Sequence, residues 1–135
     1  MSQSNYYILL GGEEHFNFFK HNDLYTRSEW FWTSPKNALV GEVAFVYLRA
    51  PVSRIVGQFQ FIGAPFYNTV FFPRWSGHWM AQVHKVVYFE ERPELTIKGM
   101  RELFPEWGWL SYPRSKVKIP TEILPPFLEL VQVKI

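Results

Sequence analysis

Residues 43–62 read VAFVYLRAPVSRIVGQFQFI, and this stretch decides the class of the fold. Val43 to Leu48 is a nearly continuous β-branched and aromatic run, the pattern of a strand covered on both faces. Beyond a loop around Pro51, Arg54 to Ile62 alternates. Gln58 and Gln60 fall on one side and Phe59 and Phe61 on the other, so a half-buried strand antiparallel to the first is expected.

Towards the N-terminus, Tyr6 to Leu10 is a short apolar run closed by Gly11-Gly12, which reads as a buried first strand and a turn. Glu13 and Glu14, Phe16 and Phe19, and Lys20 with His21 have the charge order and spacing of a short helix stopping near Asn22. Trp30-Phe31-Trp32 then meets the turn-forming cluster Ser34-Pro35-Lys36-Asn37. Towards the C-terminus, residues 63–79 form a long aromatic connection that is costly unless packed or functional. Met80 to Phe89 resumes as a strand. Thr96 can cap a short helix whose stripe is Ile97, Met100 and Leu103 or Phe104. A second aromatic loop, residues 106–109, precedes a strand expected to project Arg114, Lys116 and Lys118 from one face. Thr121 to Val133 closes the chain as a helix or strand interrupted by Pro125-Pro126. Strands outnumber helices, without a repeat or linker, so residues 1–135 are expected to form one α+β domain: a curled barrel with short flanking helices.

Composition narrows the function. The absence of cysteine removes disulfides, thiolate metal sites and cysteine nucleophiles together. His15, His21, His78 and His84 never share a face at ligand spacing, so neither a metal nor another cofactor is expected. Asp23 is the only aspartate, no serine occupies a nucleophile elbow, and the adjacent pairs Glu13-Glu14 and Glu90-Glu91 diverge as neighbours must. The chain is therefore expected not to be an enzyme. No apolar run is long enough for a membrane helix and the first residues lack a signal pattern, which points to the cytoplasm. A net charge of +2 requires any nucleic-acid affinity to come from local Lys and Arg.

The aromatic content is what remains: 13 Phe, 7 Tyr and 6 Trp in 135 residues. Trp30 and Trp32, Trp75 and Trp79, and Trp107 and Trp109 all lie in or beside loops. Flat rings suit stacking on nucleobases, and Arg27, Lys36, Arg74, Arg114, Lys116 and Lys118 lie near enough in sequence to hold phosphates. Members of each W-x-W pair point oppositely in an extended chain, so about half of these rings belong to the core. The three-cation face has a plainer reading too, as an edge strand guarded by charge.

Asn37-Ala38-Leu39-Val40-Gly41-Glu42-Val43-Ala44-Phe45-Val46-Tyr47, with Ile55-Val56-Gly57-Gln58-Phe59 and Ala64-Pro65-Phe66-Tyr67, resembles segments of EVE domains, which belong with YTH domains to the PUA-like superfamily. Trp32-Thr33-Ser34-Pro35 is similar to the YTH segment that carries the first cage tryptophan, and Trp107, Val117-Lys118-Ile119 and Glu122-Ile123 are similar to the closing YTH segments. The resemblance implies a PUA-like, EVE/YTH-type fold and a base-binding cage. In it Trp32 and Trp75 are the walls, Thr33 lies near the base edge, and Tyr67 or Trp79 completes the enclosure. It implies a reader that flips a methylated base, with DNA as the partner, RNA the alternative, and a place beside the GTPase motor and nuclease of an McrB-type modification-dependent restriction system. The chain lacks the G-V-R-N segment of EVE domains and has Gly11-Gly12 where YTH domains place a polar residue. A protein-interaction domain is the competing non-nucleic-acid reading, and an ASCH-type hydrolase the enzymatic one.

Overall fold

The computed structural model describes residues 5–16, 19 and 30–131, and of Trp30 and Arg74 the backbone alone. Its strands are β1 (Tyr6–Gly11), β2 (Trp30–Thr33), β3 (Val43–Leu48), β4 (Arg54–Phe61), β5 (Phe66–Asn68), β6 (His78–Tyr88) and β7 (Val117–Lys118). Two helices follow the longer strands, α1 (Ile97–Leu103) and α2 (Leu124–Val131). The strands form one mixed sheet in the order β2-β6-β4-β3-β1-β7, with β5 paired to β6 off that path. β1 and β3 run parallel, from Tyr6 beside Val43 to Gly11 beside Leu48, and the other pairs are antiparallel. The result is the expected α+β architecture, a curled half-barrel with two short helices.

The central strand explains the curl. Period-two alternation sends Phe45 and Tyr47 to one face and Ala44, Val46 and Leu48 to the other, and both sets are buried. The first face is covered by α1, α2 and the turn between them through Met100, Phe104, Trp107, Trp109 and Phe127. The second cluster comes almost wholly from strands and is what the curling sheet encloses. A register shift opposite Val46 and Tyr47 lets Ile55 face the helices while Val56, Phe59 and Phe61 face the enclosed side. Another lies in β6, where Lys85 has φ 54°. Gly57 sits where a side chain has no room: a Cβ would strike the Val87 carbonyl oxygen and the Phe19 ring.

Local chemistry sets the ends. Thr96 Oγ1 accepts the Gly99 N–H at 3.0 Å and caps α1, and Phe104 rather than the half-exposed Leu103 completes its apolar stripe. Pro125 and Pro126 do not interrupt the last element. They fall in the first turn of α2, where missing N–H groups cost nothing. The buried Glu42 carboxylate accepts the N–H groups of Asn5 and Leu39, both at 2.7 Å, and the Tyr7 hydroxyl at 3.2 Å. Burial raises the Tyr7 hydroxyl pKa, and the Glu42 charge adds to it. Of the expected first helix, a 3-10 turn at Glu13–His15 is present, and its continuation towards Asn22 falls mostly outside the described residues.

Candidate functional site

The parallel pairing of β1 and β3 brings their C-terminal ends to one rim of the half-barrel, where β2 also ends and β6 begins. A cavity of about 280 Å³ opens there. Leu10 and Gly11 of β1, Trp32 and Thr33 of β2, Arg49 just past β3, and His78 at the start of β6 line it. Glu14 and His15 of the first turn, Trp75, and Ser115 with Lys116 complete the wall. Rims of this kind are where barrels hold small ligands, and the volume suits a single ring system.

Trp32, Trp75 and Thr33 thus line one cavity. Trp32 is 4% exposed and fixed from behind by Phe19 and Phe59, at ring separations of 5.7 and 5.6 Å. Its ring centre lies 6.2 Å from that of Trp75, with the planes 38° apart. A flat guest between two rings needs roughly 7 Å, two contacts of ~3.5 Å. To accept one, the Trp75 ring, carried on a loop, would have to swing outward by about one ångström and towards parallel. His15, weighed in the sequence only as a metal ligand, is the third ring, 4.8 Å from Trp32 and 6.1 Å from Trp75. Its Nδ1 accepts the Gly12 N–H at 3.1 Å, which assigns the ring proton to Nε2. Gly11 leaves space for this arrangement, since a Cβ there would stand 3.0 Å from His15 Nδ1 and 2.8 Å from the Leu48 side chain.

Asn68 holds the loop that carries Trp75. It is fully buried, its Nδ2 donates to the carbonyls of Phe72 and Trp75 at 2.8 and 2.9 Å, and its Oδ1 accepts the Phe72 N–H at 3.0 Å. Its backbone carbonyl accepts the Gly77 N–H at 2.8 Å, where Gly77 has φ 86°. The long aromatic connection is thus braced from within by Asn68. Asn68→Ala is expected to cost ~1–3 kcal/mol, the penalty for leaving buried backbone groups unpaired. Urea denaturation should show that loss, and hydrogen exchange should place it at the amide of Phe72, which loses its acceptor.

The cations divide. Lys116 lines the cavity. The single face of Arg114, Lys116 and Lys118 expected from the sequence is not formed: β7 contains only Val117 and Lys118, and Lys116 has φ 63°, which breaks strand alternation and brings it to the cavity wall. Burial pushes the Lys116 ammonium pKa down. Arg114 and Lys118 are exposed. Lys36 Nζ lies 5.5 Å above the Trp79 ring. Arg27 lies outside the described residues, as does the Arg74 side chain. Arg49, which the sequence reading did not single out, joins Lys116 as a second cation on the cavity lining.

Tyr67 and Trp79 do not line the cavity. They pair with each other across β5 and β6 at 5.7 Å. Trp107 and Trp109 are core rings, stacked at 5.2 Å and 26° beneath the helices. A larger hollow of about 650 Å³ includes Arg54, Glu13, Glu90 and Glu91. The Arg54 guanidinium there donates to the Phe89 carbonyl at 2.9 Å and the Tyr88 hydroxyl at 3.0 Å, which is a structural role. The described residues contain no group of His, Asp and Glu arranged to hold a metal, and no helix long and apolar enough to cross a membrane.

No protein-family model and no curated protein matches the chain by sequence. Solved structures do match its shape. Protein PSPTO5229 of Pseudomonas syringae superposes with a TM-score of 0.70 at 12% identity, over 94% of this chain and 99% of that one. The YTH domain of the Zygosaccharomyces rouxii MRB1 protein, solved in complex with N6-methyladenosine RNA, gives 0.62 at 12% identity over 98% and 90%. The YTH domain-containing protein mmi1, solved in a complex with RNA, gives 0.58 at 13% identity over 96% and 82%. At such identities it is the fold alone that is shared with the YTH domains.

Proposed function

We propose that the chain is a non-catalytic nucleic-acid reader that takes one methylated base into the rim cavity between Trp32 and Trp75. The observation that carries this is the pair of tryptophans, ring centres 6.2 Å apart, one fixed in the core and one on a pinned loop, both lining a cavity of about 280 Å³. Apolar rings on both faces gain from burying an added methyl. Arg49 and Lys116 supply the positive charge that meets a backbone phosphate beside the bound base.

Modified DNA is the substrate on this reading, and a modification-dependent restriction system with a GTPase motor and nuclease is the setting in which such a module serves. RNA is the second reading, favoured by YTH domains of the same fold having been solved with N6-methyladenosine RNA. The wild-type protein should be titrated with matched DNA and RNA oligonucleotides carrying N6-methyladenine, 5-methylcytosine or no modification, at two salt concentrations. At least roughly fivefold preference for one modified DNA is expected, with affinity falling as salt rises. Equal affinity for modified and unmodified strands would sink the methyl-reading role, and preference for the modified RNA would move the function to RNA.

A further inference from the structure

The loop that carries Trp75 has a second side that the pocket leaves unused. Phe71 is 78% exposed and Val70 is 75% exposed, the two highest values for large apolar side chains among the described residues. Their neighbour Phe72 turns inward and packs on Phe31 at 5.1 Å. The loop thus sorts adjacent phenylalanines to opposite sides. Its backbone is held by the buried Asn68 and by the Ser76 hydroxyl, which donates to the Thr69 carbonyl at 2.9 Å. An apolar tip presented on so braced a loop is a built feature, and water is a poor environment for it.

Its place relative to the pocket follows from the turn. Trp75 N–H donates to the Phe72 carbonyl at 2.9 Å, the bond of a tight turn, which keeps those Cα atoms within about 7 Å. One further Cα step of about 3.8 Å puts Phe71 no more than ~11 Å from Trp75. That span is comparable with the ~12 Å width of a major groove. Apolar side chains, phenylalanine among them, are what proteins insert between base steps.

We propose that Val70 and Phe71 form a wedge that enters a duplex as the target base leaves it, so that the substrate of the cavity is a base within double-stranded nucleic acid. This rests on the reading of the cavity as a base pocket. A single-strand reader has no gap to fill and no use for the wedge.

The test uses whichever of the N6-methyladenine and 5-methylcytosine oligonucleotides binds the wild type more tightly, as a single strand and as a matched duplex. Phe71→Ala should leave the melting temperature unchanged, because the side chain packs on little. It should weaken duplex binding at least about tenfold and single-strand binding less than about twofold, and Phe71→Leu should restore part of the loss. Unchanged duplex affinity in Phe71→Ala overturns the wedge while leaving the pocket reading intact, and so does an equal loss on both substrates. Wild-type binding confined to the single strand overturns it as well. Loss of self-association in Phe71→Ala with duplex binding unchanged overturns it in favour of a protein contact. Absence of wild-type binding to every modified oligonucleotide removes the pocket reading and the wedge together.

Discussion

Trp75→Ala is expected to weaken binding of the preferred modified oligonucleotide by roughly 5- to 150-fold, the equivalent of ~1–3 kcal/mol for one stacked base, with little change in stability. The asymmetry between the two walls makes this the informative substitution. Trp32 is 4% exposed and wedged against Phe19 and Phe59. Its truncation would open a cavity in the enclosed core at about 3–5 kcal/mol, a large share of the ~5–15 kcal/mol that holds a domain together. A binding defect in Trp32→Ala would therefore mix loss of the proposed cage wall with a weakened fold. Trp75 is only partly buried and sits on a loop pinned through Asn68, so removing its ring leaves the backbone hydrogen bonds in place. Isothermal titration of Trp75→Ala beside a thermal melt separates the two effects. Wild-type affinity in that variant would remove the opposing wall, and with it the cage.

The sheet is readable from sequence because its strands carry their own signals. The doubly buried run of β3 and the alternation in β4 come from side-chain period alone, and both match the structure to within a residue. Thr96 and the stripe ending at Phe104 likewise mark α1 locally. The pairing of β1 with β3 is a different kind of fact. It joins segments about forty residues apart in parallel register, and no local pattern specifies it. Yet that pairing sets Leu10 and Gly11 beside Arg49 and builds the rim, which is why Arg49 as a lining cation and His15 as a lining ring escape a reading of the sequence. His15 reaches the site through a bond to Gly12 three residues before it, an arrangement with no composition of its own. The cation face fails for a related reason. Strand alternation does not extend through Lys116, because a left-handed residue resets the phase and takes that lysine to the cavity. Tyr67 and Trp79 are close to Trp75 in sequence, but β5 pairs with β6 and gives those two rings to each other.

Trp109→Ala is expected to be the more damaging of the buried-tryptophan changes on the helix side, at about 3–5 kcal/mol in urea denaturation. The ring is 3% exposed, stacks on Trp107 at 5.2 Å and meets Tyr47 edge-on at 5.6 Å, so no neighbour can relax fully into the space. Its Nε1 also donates to the Arg114 carbonyl at 2.7 Å, and that bond links core to site. The next residue, Ser115, accepts the Leu10 N–H on its hydroxyl at 3.0 Å, and the one after is Lys116 at the cavity wall. Trp109→Phe keeps a six-membered ring in the core and removes the donor, so it tests the strap with a smaller packing loss than Trp109→Ala. It should cost ~0.5–1.5 kcal/mol for the lost hydrogen bond, beside the smaller packing loss. It should also reduce the salt slope of oligonucleotide binding by about one unit, the change expected when Lys116 is released and one phosphate is no longer neutralised. A Trp109→Phe protein with a wild-type salt slope would show that Ser115 alone fixes Lys116, and that Trp109 serves the core without serving the site.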